Sequence, residues 1–198
     1  MTLVPFRNDF LSGSAVPMRI AADPVQADIF SKALSAQLEA RSYRVRMETV
    51  RDGKRNTRLL EHVFPHRFRV VSDADEIIIV DHSTFRRVAG ASWQRVPFDL
   101  GFLIAQFLNP NVIERLTQET TITFNRRETL DGQLMLVFQS DYSQSFGNEV
   151  SSMSKMWISE TRRLLCRLEM EIKVNGVQSS TVNTYYDYNA EIIIEPPI

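Results

Sequence analysis

Several features that would point to a compartment or a chemistry are scarce in this sequence. It holds one cysteine, Cys166, so no internal disulfide can form and the usual mark of an oxidising compartment is missing. The formal net charge is -1, which argues against a general nucleic-acid binder because such proteins carry a basic excess. No apolar run approaches the roughly 18 residues of a membrane-spanning helix, and residues 1–20 lack the pattern of a signal peptide. We therefore expect a soluble chain, and if the native protein is exported, its signal lies outside this numbering.

Motifs of catalysis and cofactor binding are absent as well. The sequence has no G-x-S-x-G elbow, no Walker loop and no G-x-G-x-x-G segment. Cys166 has neither a neighbouring histidine nor a helix start to activate its thiol. His62, His66 and His82 have no cysteine or carboxylate at ligand spacing. The sequence therefore predicts no enzyme, no metal site and no cofactor.

The most frequent pattern in the sequence is the alternation of apolar and polar residues. The length of 198 residues, with 43% hydrophobic and 24% charged residues, suits one globular domain. From Ser42 onward the apolar and polar residues alternate with period two, as in half-buried strands. The predicted strands are 42–50, 56–64, 67–72, 76–81, 84–88, 93–96, 120–125, 127–130, 134–142, 150–158, 164–174, 177–188 and 191–195, with a polar loop at 143–149. The sequence therefore predicts a mainly β fold.

Three dipeptides mark the turns of this β domain: Asp52-Gly53, Asp131-Gly132 and Asn175-Gly176. Asp-Gly and Asn-Gly favour two-residue hairpin turns, because both central residues must adopt positive φ. We expect a type I′ turn at Asn175-Gly176, which sets the register of the last third of the chain.

Helical signals occur at two places. Asp23, Pro24 and Gln26 form an N-cap, a first-turn proline and an approximate capping box, and an apolar stripe follows to about Ala40, so this helix should lie against a sheet. Residues 100–108 are strongly apolar and end before Asn-Pro, and a further helical turn is predicted at 111–117. The 100–108 helix is either plain core or the lid of a ligand cavity.

The first residues are interpreted differently. Residues 1–22 are aperiodic, broken by prolines and a glycine, and dotted with apolar side chains. We expect residues 1–22 to be an extended arm and residues 23–198 to be the folded domain. The arm packs either across its own domain or on a partner. Its candidate partner-binding residues are Phe6, Phe10, Leu11 and Met18.

Basic residues gather around the first predicted hairpin, and they allow two interpretations. A solvated strand face is one, and contact with an anionic partner or a lipid head group is the other. The residues concerned are Arg41, Arg44, Arg46, Arg51, Lys54, Arg55 and Arg58.

The order of elements, together with several short phrases of sequence, resembles the LolA/LolB-like superfamily of periplasmic lipoprotein carriers and their mycobacterial LppX/LprG-like relatives. The phrases are residues 60–69 (LEHVFPHRFR), 92–96 (SWQRV), 130–138, 156–158 leading into 164–171, and 184–189 through 194–197. The resemblance covers about residues 23–197. It implies an open, strongly curved antiparallel half-barrel with helices over a concave face that shelters acyl chains, in a protein exported to the periplasm or cell envelope.

Two functions follow as hypotheses. The first is a non-enzymatic carrier or binder of a lipid, a lipoprotein acyl chain or another apolar ligand in the bacterial cell envelope, since each buried methylene contributes about 0.8 kcal/mol without any catalytic group. The candidate cavity-lining residues are Tyr43, Val45, Met47, Phe68, Val70, Phe102, Phe107, Leu136 and Phe138. The second is an accessory subunit that docks through its arm on the periplasmic side of a larger membrane protein complex. Neither hypothesis includes nucleic acid, and neither identifies the ligand or partner.

Overall fold

A computed structural model describes residues 19–98, 100, 121–145 and 149–197. Within these ranges, 12 strands form a single curved sheet that does not close, and one helix lies against it. The expected class, a mainly β open half-barrel with a helix, is confirmed. No helix within the described ranges is long and apolar enough to cross a bilayer.

The elements follow the chain in a simple order. The helix is α1 (Pro24–Glu39). The strands are β1 (Arg19–Ala21), β2 (Ser42–Arg51), β3 (Lys54–Val63), β4 (Arg67–Ser72), β5 (Asp75–Val80), β6 (Ser83–Val88), β7 (Gln94–Val96), β8 (Thr121–Leu130), β9 (Gln133–Ser145), β10 (Glu149–Ser159), β11 (Leu165–Val174) and β12 (Val177–Tyr186).

The sheet is two runs of hairpins joined side by side. Its strand order is β1-β8-β9-β10-β11-β12-β2-β3-β4-β5-β6-β7, so that β12 pairs antiparallel with β2 at the junction. All pairs are antiparallel except β1 with β8, which is parallel. The parallel strand β1 lies within the stretch predicted as an arm, and it occupies one edge of the sheet.

The predicted turns are confirmed by their backbone angles. Asn175 and Gly176 have φ values of 49° and 84°, the positive values that a type I′ turn requires. Asp52-Gly53 and Asp131-Gly132 show the same signs. The three hairpins β2–β3, β8–β9 and β11–β12 therefore have two-residue loops that fix their registers.

Helix α1 is confirmed together with its cap. The Asp23 carboxylate accepts a hydrogen bond from the Gln26 backbone N–H at 2.9 Å, and the Gln26 side-chain oxygen accepts one from the Asp23 N–H at 3.3 Å. Ile29, Phe30 and Ala33 then bury the apolar stripe against β8, β9 and β10. This packing lays the helix across one end of the sheet.

Two predicted interruptions of the sheet were wrong. The separate strands at 120–125 and 127–130 are one strand, β8, with a bulge between Phe124 and Arg126 that absorbs one extra residue. Of the predicted loop at 143–149, residues 143–145 and 149 belong to the sheet instead, because β9 runs to Ser145 and β10 begins at Glu149, and residues 146–148 lie outside the described residues. The hydrogen bonds between neighbouring strands join backbone groups, so the polar side chains of this stretch do not interrupt the pairing.

The predicted last strand at 191–195 was also wrong. In the described residues after Tyr186, no strand is present. The segment crosses the sheet instead, where Ile194 is buried against Ile78 and Val80 and its carbonyl accepts a hydrogen bond from Arg67 at 3.1 Å. Ile192 and Ile194 are therefore apolar because they pack against the sheet and not because they belong to a strand.

Candidate binding face

The register of the sheet assigns each side chain to one of two faces. Residues directly opposite each other on neighbouring strands share a face. One such row begins at Phe138, which contacts α1. It continues through Met156, Leu168, Asn183, Met47, Arg58 and Ser72. We call the side of the sheet that carries this row and α1 the helix face, and the other side the opposite face.

The structure brings seven of the nine predicted lining residues to the helix face. They are Tyr43, Val45, Met47, Phe68, Val70, Leu136 and Phe138. The remaining two, Phe102 and Phe107, lie outside the described residues, as does the 100–108 helix beyond Leu100. The arm residues Phe6, Phe10, Leu11 and Met18 are also outside it. A ligand-binding role for any of these residues stays a prediction, and so does the division at residue 22.

Burial separates the lining residues into two groups. Leu136, Phe138 and Phe68 are at most 1% exposed, so they are core in this structure. Met47 and Val70 are only partly buried, which leaves apolar surface in the middle of the helix face. A bound molecule can contact the second group without any rearrangement of the first.

An apolar row runs through this partly buried region. Tyr185, Val45, Leu60, Val70 and Ile77 lie opposite one another on five adjacent strands. At the usual strand spacing, this apolar row is about 19 Å long. Val45 is 3% exposed and belongs to the core, so the partly exposed apolar surface of the row is at Leu60, Val70 and Ile77, at right angles to the strands.

A cavity lies at the end of the apolar row. Its volume is about 430 Å³, and it is lined by side chains of β5 to β7 and the segment that follows. Ile77, Val96 and Phe98 contribute its apolar wall, while Arg86 is ion-paired with Asp75 at 2.8 Å on its rim. Pockets of about 300–1,000 Å³ are typical of small-ligand sites. The volume suits part of an extended apolar chain.

His62 is a buried polar residue on the same face. It is 6% exposed, stacks on Phe68 with 4.6 Å between ring centroids, and meets the edge of Tyr43 at 4.9 Å. Neither ring nitrogen has a hydrogen-bond partner among the described residues. Burial, together with the positive charge of His66, lowers the pKa of His62 to about 4. The ring is therefore neutral at pH 7 and behaves as an aromatic member of the core.

The opposite face has a different chemistry. Glu61, with its side chain 8% exposed, binds Arg44 at 2.8 Å and Arg69 at 3.4 Å. The ion pairs continue across the strands in the order Asp187, Arg44, Glu61, Arg69, Glu76 and Arg87, and the last arginine stacks on Trp93. This charged ladder holds β2 to β6 together and offers no apolar strip to a ligand.

Sequence reasoning missed three members of the apolar row, Tyr185, Leu60 and Ile77. In β3 the adjacent Leu59 and Leu60, and in β5 the run from Ile77 to Val80, hide the alternation. The register with β2 and β4 resolves their orientation. The sequence signal that would have found Leu60 is the Asp52-Gly53 turn, since counting outward from that turn pairs Leu60 with Val45.

Groups for metal or nucleophilic chemistry are not assembled on this face. In the described ranges there is no set of three or more histidine, cysteine, aspartate or glutamate residues placed to hold a metal ion. Cys166 is buried and forms no disulfide.

Comparison with known proteins identifies the architecture. No protein-family model and no curated protein matches the sequence. Among solved structures, the chain is similar to the lipoprotein LppX of Mycobacterium tuberculosis, with 13% identity and a TM-score of 0.65 over 88% of this chain and 100% of that one. It is also similar to LprF of Mycobacterium bovis, with 12% identity and a TM-score of 0.61 over 89% of this chain and 99% of that one. The chain has the fold of LppX and LprF, as the likeness to LppX/LprG-like proteins noted in the sequence implied.

Proposed function

We propose that this chain is a non-enzymatic binding or carrier protein of the bacterial cell envelope, which holds a lipid or another apolar ligand on its helix face. The observation that carries the proposal is the apolar row, which is partly exposed at Leu60, Val70 and Ile77. Apolar strips of this kind mark sites for ligands or partners more often than plain surface. At its Ile77 end, the row adjoins the cavity of about 430 Å³.

The energetics favour a ligand with a long apolar chain. Ten methylenes buried along the row would contribute about 8 kcal/mol, against an association cost of about 4 kcal/mol or more. A short apolar molecule would not overcome that cost. Acyl chains of lipids or lipoproteins have the required length.

The similarity of fold to LppX supports the proposed location in the bacterial cell envelope. LppX is a lipoprotein of a bacterium, and the resemblance seen in the sequence implies export to the periplasm or envelope. The curved sheet supplies the shape that this resemblance implies for sheltering acyl chains.

Neighbouring residues of β4 provide a matched test. Val70 lies in the apolar row and Val71 on the opposite face, and both are partly exposed. Val70→Asp should abolish lipid binding, because a carboxylate would be desolvated under the chain. Val71→Asp should leave it intact. Val70→Thr, a milder change of similar shape, should weaken binding if Val70→Asp does not fold.

The measurement is native mass spectrometry of protein purified from a bacterial envelope fraction, followed by lipid extraction, with thermal unfolding of each variant. The proposal expects lipid on wild type and on Val71→Asp only. Lipid-free wild type that also fails to bind added fatty acid contradicts it, and so does equal loss in both aspartate variants. A co-purifying membrane protein without lipid would favour the accessory-subunit hypothesis.

A further inference from the structure

Resting on the proposed function, we infer that the ligand of the helix face carries an anionic head group, bound at the tip of the β2–β3 hairpin by Arg51, Lys54 and Arg58. The inference begins with a change of chemistry along the face. The apolar row ends, one step toward the hairpin tip, at a row in which Met47 lies between Asn183 and Arg58. Toward the hairpin tip, these are the first polar side chains that a ligand meets on leaving the apolar row.

The register divides the basic residues of the hairpin between the two faces. Arg58 lies opposite Met47, and Lys54 lies opposite Arg51, which places all three cations on the helix face. Arg55 lies opposite Val50 on the opposite face. Directly opposite side chains have their Cβ atoms about 5 Å apart. The side chain of Arg58 therefore starts next to that of Met47, on the same face.

The cations on the helix face have little compensating charge. Within the described ranges, Lys54 and Arg58 have no carboxylate within the 4.0 Å that defines an ion pair. Arg51 has Asp52 at 3.8 Å, and both side chains are at least 70% exposed, so their pairing is weak. Asp75 is the other carboxylate near Arg58, but it is bound by Arg86 at 2.8 Å. Arg58 thus carries a weakly compensated positive charge one step from the apolar row, and Arg51 and Lys54 add two more charges at the hairpin tip, two steps further on.

An amphipathic ligand with one negative end matches this arrangement. Its chains would lie along the apolar row, while a phosphate or carboxylate would reach the exposed guanidinium and ammonium groups in water, where no desolvation of a buried charge is needed. Arginine is well suited to such oxygens because its planar fork donates two parallel hydrogen bonds. A zwitterionic head group would gain less from the same site.

The test compares two arginines of one strand. Phosphatidylglycerol and phosphatidylcholine with identical acyl chains compete for the delipidated full chain, and the bound ratio is read by native mass spectrometry. Wild type should prefer phosphatidylglycerol by about tenfold, the size of one charge-assisted hydrogen bond. Arg58→Gln should remove most of that preference, because binding of phosphatidylglycerol weakens toward that of phosphatidylcholine. Arg55→Gln, the control on the opposite face, should keep it.

The alternative outcomes are distinguishable. Equal binding of the two lipids by wild type overturns the inference but leaves the proposed function standing. Equal loss of preference in Arg58→Gln and Arg55→Gln also overturns it, because the whole hairpin would then be docking on an anionic membrane surface. Absence of any bound lipid contradicts the proposed function itself. The double change Arg51→Gln with Lys54→Gln should reproduce the effect of Arg58→Gln, and its failure to do so would remove those two residues from the site.

Discussion

Replacement of His62 by phenylalanine tests the packing of the helix face through its pH dependence. His62 is 6% exposed and stacks on Phe68. Its pKa is lowered from 6.5 to about 4, first by burial and then by the charge of His66. The unfolded chain therefore binds more protons at this site than the folded chain does between those values. Folding stability from His62 is complete above pH 6.5 and is lost as the pH falls toward 4.

The size of the effect follows from the two pKa values. The loss is about 2 kcal/mol at pH 5 and about 3 kcal/mol at pH 4, relative to neutral pH. His62→Phe removes this loss, because phenylalanine does not titrate and keeps the stacked ring. At pH 7 the variant should be as stable as wild type or more so, since two unpartnered ring nitrogens disappear.

The assay is urea unfolding of wild type, His62→Phe and His66→Gln from pH 7 to pH 4, where His66→Gln removes the second cause of the lowered pKa of His62. Carboxylate ion pairs weaken in all three proteins at low pH, so the difference between wild type and His62→Phe isolates the histidine. That difference should grow by about 2 kcal/mol from pH 7 to pH 5. A constant difference across this range would refute the reasoning, because His62 would then titrate normally in the folded chain.

Three other predictions concern stability and the first residues. Phe138→Ala, at a fully buried residue that contacts Phe30, should destabilise the chain by about 3–5 kcal/mol in urea unfolding; a loss below about 1 kcal/mol would contradict its place in the core. Glu61→Gln should cost about 1–2 kcal/mol because Arg44 and Arg69 lose a charged acceptor but keep Asp187 and Glu76, whereas Asp28→Asn, in an exposed pair, should cost at most about 1 kcal/mol. Deletion of residues 1–18, which leaves β1 in place, should keep the thermal unfolding temperature and lipid binding; loss of folding would assign those residues to the domain core, and loss of a co-purifying partner would favour the docking role.

Features with a local signal were predictable from the sequence. The start of α1 depends on Asp23 and Gln26, three residues apart, and each hairpin turn depends on two adjacent residues. The pairing of β12 with β2 has no such signal, because the residues that meet are more than 100 positions apart in sequence. Only the assembled sheet shows that Tyr185 completes the apolar row.

The candidate site was predictable where one face of a strand is apolar and the other polar. Tyr43, Val45 and Met47 were assigned to one face correctly because arginines separate them. In β5, both faces are apolar, since Ile78 packs under Ile194 on the opposite face while Ile77 joins the apolar row. In such a strand, the pattern of apolar residues does not show which face each side chain lies on. Only the register with the neighbouring strand assigns the faces.

The most direct test of lipid binding on the helix face is residue-resolved crosslinking with a photoactivatable diazirine fatty acid, mapped by tandem mass spectrometry. Labels on β3 and β4 should alternate, with Leu60 and Val70 modified and Glu61 and Val71 unmodified. An excess of unlabelled fatty acid should suppress them. Labelling confined to the opposite face, or spread evenly over consecutive residues of both strands, would contradict the account.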